Sequence, residues 1–166
     1  MAALAALALG QAVASGAALG ARPLAAQVAD AAGPEPWRLE RSEPLTWFVA
    51  TGAPEAGFEP GDRELARWAL EAWASRITPP LGLEPGPEPT AALRVYWAGA
   101  AGGLYGEMRR RVVDGRPAAD ILVHPDMRAL GPDIAAAARD DPLFRDVVVY
   151  LTCVHELGHA FGLAHT

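Results

Sequence analysis

Residues 141–166 read DPLFRDVVVYLTCVHELGHAFGLAHT. Asp141 followed by Pro142 is typical of a helix start, because aspartate caps free amides and proline fits the first helical position. The residues that follow are apolar on most sides of a helix, so the pattern predicts a helix buried along much of its length. Its mainly apolar run, residues 147–154, is far too short to span a membrane.

Three of the four histidines of the chain lie at the end of this predicted helix. His155 and His159 are four residues apart, so they project from one helix face at the spacing at which two imidazoles can hold one metal ion. Glu156 lies about 100° round the helix from His155, close enough to reach a water on that metal without being a ligand. A catalytic zinc ion needs a third protein ligand, for which His165 is the obvious candidate. Gly162 would let the chain turn sharply back toward the metal.

The resulting pattern, HExxHxxGxxH, resembles that of the metzincin metallopeptidases, and every defining position is filled. Five specified positions match by chance on the order of once in a few million registers, so the signal is strong. HELGHAFGLAHT is most similar to the motif of the matrixin-like group, which are small, often bacterial, secreted proteases. In that group a serine or threonine often follows the third histidine, as Thr166 does here. The resemblance extends over residues 44–166, but outside the motif it lies in the order of strands and helices and not in residue identity.

The resemblance implies a zinc-dependent endopeptidase. His155, His159 and His165 would bind one zinc ion, which would polarise the scissile carbonyl and lower the pKa of its bound water from about 15.7 toward about 7. Glu156 would take the proton of that water and deliver it to the leaving amine. The antiparallel edge strand of the family, which pairs with an extended substrate, would map onto four residues: Leu104, Tyr105, Gly106 and Glu107.

Metzincins also place a methionine-containing turn beneath the zinc, downstream of the third histidine. The methionines here are Met1, Met108 and Met127, all upstream of the motif. We therefore expect the chain to be incomplete, without the C-terminal subdomain that carries this turn. A non-catalytic zinc-binding or protein-interaction module, or an inactive fragment, is the alternative. A gluzincin-type protease is disfavoured, because no glutamate follows His165 to act as the third ligand.

Other residues that could bind metal have simpler interpretations. His124 could hold a structural metal, but no full ligand set accompanies it, and an ordinary histidine at a strand end is favoured. Cys153 falls on the helix face roughly opposite His155 and is interpreted as a buried apolar thiol. We therefore expect one catalytic zinc ion, and find no support for structural calcium or a second zinc. Four aspartates lack the spacing of a calcium loop and are interpreted as caps and solvated positions: Asp133, Asp140, Asp141 and Asp146.

The segments before the predicted site helix favour a mixed arrangement of strands and helices. Residues 45–50 predict a buried strand, and residues 93–97 alternate like a half-buried one. Residues 61–77 predict an amphipathic helix, capped by Gly61 or Asp62, whose two tryptophans pack in the core against a sheet.

The segment before residue 125 predicts a hairpin. Its turn is the pair Asp114 and Gly115. The three arginines at 109–111 are interpreted as a solvated face of an edge strand. The order of elements predicts an α+β fold like the N-terminal subdomain of metzincins: a mixed twisted sheet with an antiparallel edge strand, one packing helix and a buried active-site helix.

The composition fits one folded domain. Of 166 residues, 51% are hydrophobic and 20% charged, which favours a packed core over disorder. The net charge of -6 and the lack of a lysine and arginine stripe argue against nucleic acid as a partner. A single cysteine excludes an internal disulfide framework. The expected partner is a peptide or protein substrate, acted on by a monomer.

The N-terminal residues resemble a targeting segment. Residues 1–29 carry an uncharged run rich in alanine and leucine up to Ala21, typical of a secretory signal, although no basic residue precedes it. We expect a secreted or periplasmic protein. An uncleaved membrane anchor is the alternative, since the run is close to the ~20 residues that a span requires. Residues 30–43 mix proline, glycine and charge and predict a linker to the metallopeptidase domain at 44–166.

Overall fold

The computed structural model describes residues 37–39, 44–99 and 104–165. The predicted signal, residues 1–29, and most of the predicted linker lie outside the described residues. Within these three ranges, none of the helices combines the length and the apolar character needed to cross a membrane.

The described residues form five strands: β1 (Leu45–Val49), β2 (Leu83–Pro85), β3 (Leu93–Trp97), β4 (Gly106–Val113) and β5 (Arg116–Val123). They make one mixed sheet with the order β2-β1-β3-β5-β4. Four strands are mutually parallel, and β4 pairs antiparallel with β5 at one edge. The predicted α+β fold with a mixed sheet and an antiparallel edge strand is therefore confirmed.

The described residues form three α-helices: α1 (Asp62–Arg76), α2 (Pro132–Asp140) and α3 (Pro142–Ala160). The predicted start of α3 is confirmed, because the Asp141 carboxylate accepts the Leu143 amide at 2.9 Å. Neither α2 nor β2 was predicted. The proline-rich context of β2 and the short alanine run of α2 lack the periodicity that indicates an element.

Helices α1 and α3 pack against each other and against the sheet. In β3 the buried side chains of Leu93, Val95 and Trp97 alternate with half-exposed ones, as the sequence predicts. Together with buried residues of both helices they form one apolar core. This core supports α3 from one side only.

One expectation about helix burial is wrong. Trp68, which was expected in the core, is 49% exposed, whereas Trp73 is half-buried, packs against the core and bonds to α3. Five residues on a helix correspond to about 140° of rotation, so these two tryptophans cannot share one face. The expectation that α3 is buried along much of its length is confirmed, because its buried residues run from Arg145 to Ala160. Its outer face is not buried, since Leu143, Val147 and Leu151 are exposed.

A buried ion pair joins the start of α1 to α3. The Arg145 guanidinium donates to both carboxylate oxygens of Asp62, at 2.7 and 2.9 Å. Asp62, predicted as a cap, also accepts the Glu59 amide at 2.8 Å. Burial disfavours the charged form of Arg145, but the carboxylates around it, chiefly Asp62, more than offset this and raise its pKa.

The predicted hairpin turn between β4 and β5 is confirmed. Asp114 and Gly115 both have positive φ angles, 50° and 76°. Two positive angles in a two-residue loop match the turn whose twist fits the two strands that it joins. The hairpin places β4 at the edge of the sheet, beside the second half of α3.

Candidate metal centre

The three histidines of the motif converge on one point. The Nε2 atoms of His155 and His159 are 3.1 Å apart, and that of His165 lies 3.1 Å from the first and 3.0 Å from the second. His155 and His159 are brought together by one turn of α3. His165 lies beyond the end of the helix, so its position depends on how the chain leaves α3.

Gly162 provides the turn that returns the chain. Its φ angle is 97°, in the left-handed region that side chains disfavour. Its amide donates to the carbonyl of His159, and the amide of Leu163 donates to that of Gly158, both at 3.0 Å. This pair of hydrogen bonds is the Schellman arrangement, which ends a helix and reverses the chain. The glycine in the motif is therefore required by backbone conformation.

The donor set fits a metal ion. The Nδ1 of His159 lies 2.7 Å from the Leu163 carbonyl oxygen, which can only accept, so Nδ1 carries a proton and Nε2 is the nitrogen that can bind a metal. Three Nε2 atoms in mutual contact cannot satisfy one another, because each offers one proton or one lone pair. Ligands on a tetrahedral zinc ion would be about 3.3 Å apart. The three histidines could thus hold a metal ion.

Glu156 lies on the inner side of α3, beside the histidines. Its side chain is buried against β4, where the Gly106 backbone approaches so closely that an added Cβ would be 2.9 Å from the Glu156 Cγ. Burial raises the pKa of Glu156, and the nearby histidines and a backbone hydrogen bond from Met108 oppose the rise. A buried carboxyl with a raised pKa is typical of groups that exchange protons at functional sites.

A cleft of about 960 Å³ runs between β4 and the second half of α3. The structure brings every residue of the predicted site to this cleft. Along α3 and the turn after it the lining includes His155, Glu156, His159 and His165, and along the edge strand it includes Leu104, Tyr105, Gly106 and Glu107.

Helix α1 fixes the position of α3 below the site. The Trp73 indole N–H donates to the Val154 carbonyl at 2.8 Å, one residue before the first histidine. A Cβ at Gly158 would be only 3.1 Å from the Trp73 ring, so the second variable position of HExxH is occupied by a residue small enough for this contact. The ring of Phe161 packs on Trp73 with centroids 5.7 Å apart.

The sequence analysis did not assign every cleft residue to the site, and two of those it missed are an aromatic and a cation. Trp37, within the predicted linker, and Arg110, within the predicted solvated face, both line the cleft. Leu39, two residues after Trp37, is only 4% exposed, and its amide donates to the Ala160 carbonyl at 3.1 Å. An aromatic and a leucine in a proline-rich segment gave no periodic signal. Alternation along β4 could have separated Arg110 from its neighbours.

His124 and Cys153 lie apart from this cluster. The His124 ring Nδ1 is 2.6 Å from the Gly99 carbonyl oxygen, to which it donates, at the end of β5. Cys153 is buried in the core, and burial raises the pKa of its thiol to about 12. Both positions agree with the interpretation of these residues as structural.

Comparison of the chain with protein-family models, with curated proteins and with solved structures finds no match.

Proposed function

We propose that this chain is a zinc-dependent endopeptidase with a metzincin-like fold, most similar to the matrixin-like group. The observation that carries the proposal is the convergence of the His155, His159 and His165 Nε2 atoms, within 3.0 to 3.1 Å of one another, beside the buried carboxylate of Glu156. Zinc, when bound, supplies a Lewis acid that polarises a carbonyl oxygen and activates water.

Glu156 is the general base in this proposal. Its carboxylate accepts a proton from the attacking water and returns it to the nitrogen of the leaving amine, so no net proton is consumed at the side chain. Burial against β4 and the close approach of Gly106 restrict where the carboxylate can lie. A fixed base needs little reorganisation during the reaction.

Strand β4 is the proposed substrate-binding edge. It pairs with β5 on one side, and within the described residues no strand pairs with its other side. An extended peptide can add to such an edge through backbone hydrogen bonds. The preceding residues Leu104 and Tyr105 are exposed and line the same cleft, so they are suited to contact side chains of the peptide. The antiparallel edge strand beside the site helix also supports the metzincin-like fold.

The decisive experiment measures zinc content and peptide hydrolysis in the same preparations. We expect about one zinc per chain and cleavage of an unstructured peptide at internal bonds. Glu156→Ala should keep the zinc and lower kcat/KM by at least about 100-fold, the contribution of a general base. Glu55→Ala removes an exposed carboxylate far along the chain from the site and serves as the matched control.

Two results would refute the proposal. Full activity in the Glu156→Ala variant would remove the assigned base, and a chain that binds no zinc would remove the site. A chain that binds one zinc ion but cleaves no peptide would instead be the non-catalytic zinc-binding module.

A further inference from the structure

The arginine run at 109–111 is divided between the two faces of β4. Arg109 pairs with Glu107 at 2.8 Å, and Arg111 pairs with Asp120 at 3.0 Å, on the face that also carries Arg94. Successive side chains of a strand point to opposite faces. Arg110 therefore points the other way, and it lines the cleft.

Arg110 is held in the cleft by an aromatic ring. Its guanidinium carbon lies 5.6 Å from the centroid of the Trp37 ring, within the range of a cation–π contact. Trp37 is in turn fixed by its neighbours, because the Leu39 amide donates to the Ala160 carbonyl, and the Arg38 side chain and the Trp37 carbonyl oxygen lie against the turn at Gly162. A guanidinium held over a ring face by a cation–π contact can still donate its N–H groups to a planar anion.

The guanidinium of Arg110 has no carboxylate partner among the described residues, so it can bind an anion from a ligand. Among the residues that the structure describes, no carboxylate lies within ion-pair distance of its guanidinium. The cleft contains two carboxylates, and Glu107 is already paired with Arg109 while Glu156 is buried beside the histidines. A carboxylate brought in by a ligand would therefore meet an unneutralised and oriented cation.

We propose that Arg110, positioned by Trp37, determines specificity by binding an acidic side chain of the extended peptide. The inference rests on the proposed function, since it assumes a peptide along β4. Arg110 lies two residues beyond Met108, whose backbone contacts Glu156, and two strand residues span about 7 Å. A peptide paired with β4 has the same rise, so the acidic side chain is two residues from the bond that faces Glu156.

The test measures binding separately from hydrolysis. Labelled hexapeptides that carry glutamate at each position in turn, and otherwise identical glutamine versions, are titrated into the zinc-loaded Glu156→Gln chain by fluorescence anisotropy. We expect glutamate to bind at least about tenfold more tightly than glutamine at one position, since a charge-assisted hydrogen bond contributes this much or more. In wild-type chain, mass spectrometry should find cleavage two residues from that position.

Arg110→Gln in the same background should bind the two peptides equally. Arg116→Gln makes the same change of charge on the same hairpin, outside the cleft, and should keep the preference. Equal binding of both peptides by the parent chain, or a preference that survives Arg110→Gln, would overturn the proposal.

Trp37 is tested as a positioning residue by two substitutions. Trp37→Ala should reduce the preference for glutamate severalfold, and Trp37→Phe, which keeps an aromatic face, should restore it. A preference that is unchanged in both variants would overturn the role of Trp37. Because binding is measured without hydrolysis, absent peptidase activity with an Arg110-dependent preference would refute the endopeptidase alone, and activity without the preference would refute the specificity determinant alone.

Discussion

His165 is the only one of the three clustered histidines that α3 does not carry. Replacing it with glutamine should leave two imidazoles, fewer than a stable zinc site uses, and we expect the zinc affinity to fall by more than about tenfold. Competition with a chromophoric chelator measures this change. His124→Gln is the matched substitution, because the His124 ring bonds to Gly99 and not to the cluster. Equal loss of zinc in the two variants would contradict the assignment.

Gly106 is the position at which β4 comes closest to the site helix. A Cβ there would lie 2.7 Å from the Thr152 Cγ2 and 2.9 Å from the Leu122 carbonyl oxygen. We expect Gly106→Ala to destabilise the fold by about 1 to 3 kcal/mol, the usual cost of overpacking, and to reduce hydrolysis by displacing Glu156. Urea unfolding measures the first effect and peptide cleavage the second.

Gly61→Ala is the control for this substitution. Gly61 precedes α1 in a right-handed helical conformation, and a Cβ there would meet nothing within 4 Å. The change should be neutral or slightly stabilising, because alanine restricts the unfolded chain more than glycine does. A Gly106→Ala variant as stable as Gly61→Ala would show that the approach of β4 to α3 is looser than the structure has it.

At the scale of elements, the site depends on how α1 holds α3. Trp73 donates a hydrogen bond to the backbone of α3 just before His155. The Asp62–Arg145 pair joins the same two helices at the other end of their contact, near their N-termini. Neither group belongs to the zinc-binding pattern. The orientation of the α3 face that carries the histidines is therefore set by residues of α1, which lie about 80 positions before their partners on α3.

The Asp62–Arg145 pair gives a prediction about this contact. Removing one partner of a buried pair leaves an uncompensated charge, so Asp62→Asn or Arg145→Met should each destabilise by about 3 to 5 kcal/mol. The double variant should lose much less than the sum of the two. Arg128→Ala breaks an exposed pair with Asp126 and should cost below about 1 kcal/mol. Additive losses in a urea-unfolding cycle would contradict a direct coupling of the two side chains.

At the scale of the whole molecule, the features that the sequence predicted correctly are those that depend on local patterns and not on contacts between distant segments. The strand at 93–97, the Asp114–Gly115 turn and the Asp141 cap follow from short-range chemistry, and all three are confirmed. The convergence of the three histidines also follows from spacing, because one helical turn and one glycine turn are enough to place them.

What the sequence could not predict depends on contacts between distant segments. From the sequence Asp62 is interpreted only as a helix cap, because its partner Arg145 is distant in the chain. Trp37 is interpreted as part of a linker, because the sequence does not show that Leu39 bonds to Ala160. The spacing of Trp68 and Trp73 excludes one shared helix face, but only the packing of α1 against α3 shows that Trp73 is the one that is partly buried. Alternation along β4 separates Arg110 from Arg109 and Arg111, but the cleft that Arg110 faces exists only because α3 packs beside this strand.

The location of the core predicts how metal should affect the whole molecule. The apolar core lies between the sheet and the inner faces of α1 and α3, whereas His155 and His165 are exposed beyond it. We therefore expect the chain treated with a chelator to keep its helical circular dichroism and to unfold cooperatively. Zinc at about 100 times its dissociation constant should add about 2.7 kcal/mol of stability and raise the melting temperature by on the order of 10 °C. At the same zinc concentration His165→Gln should reduce this gain to about 1.4 kcal/mol or less, since its affinity falls by more than about tenfold. Unfolding of the parent chain by a chelator would mean that the metal, and not the core, organises the fold.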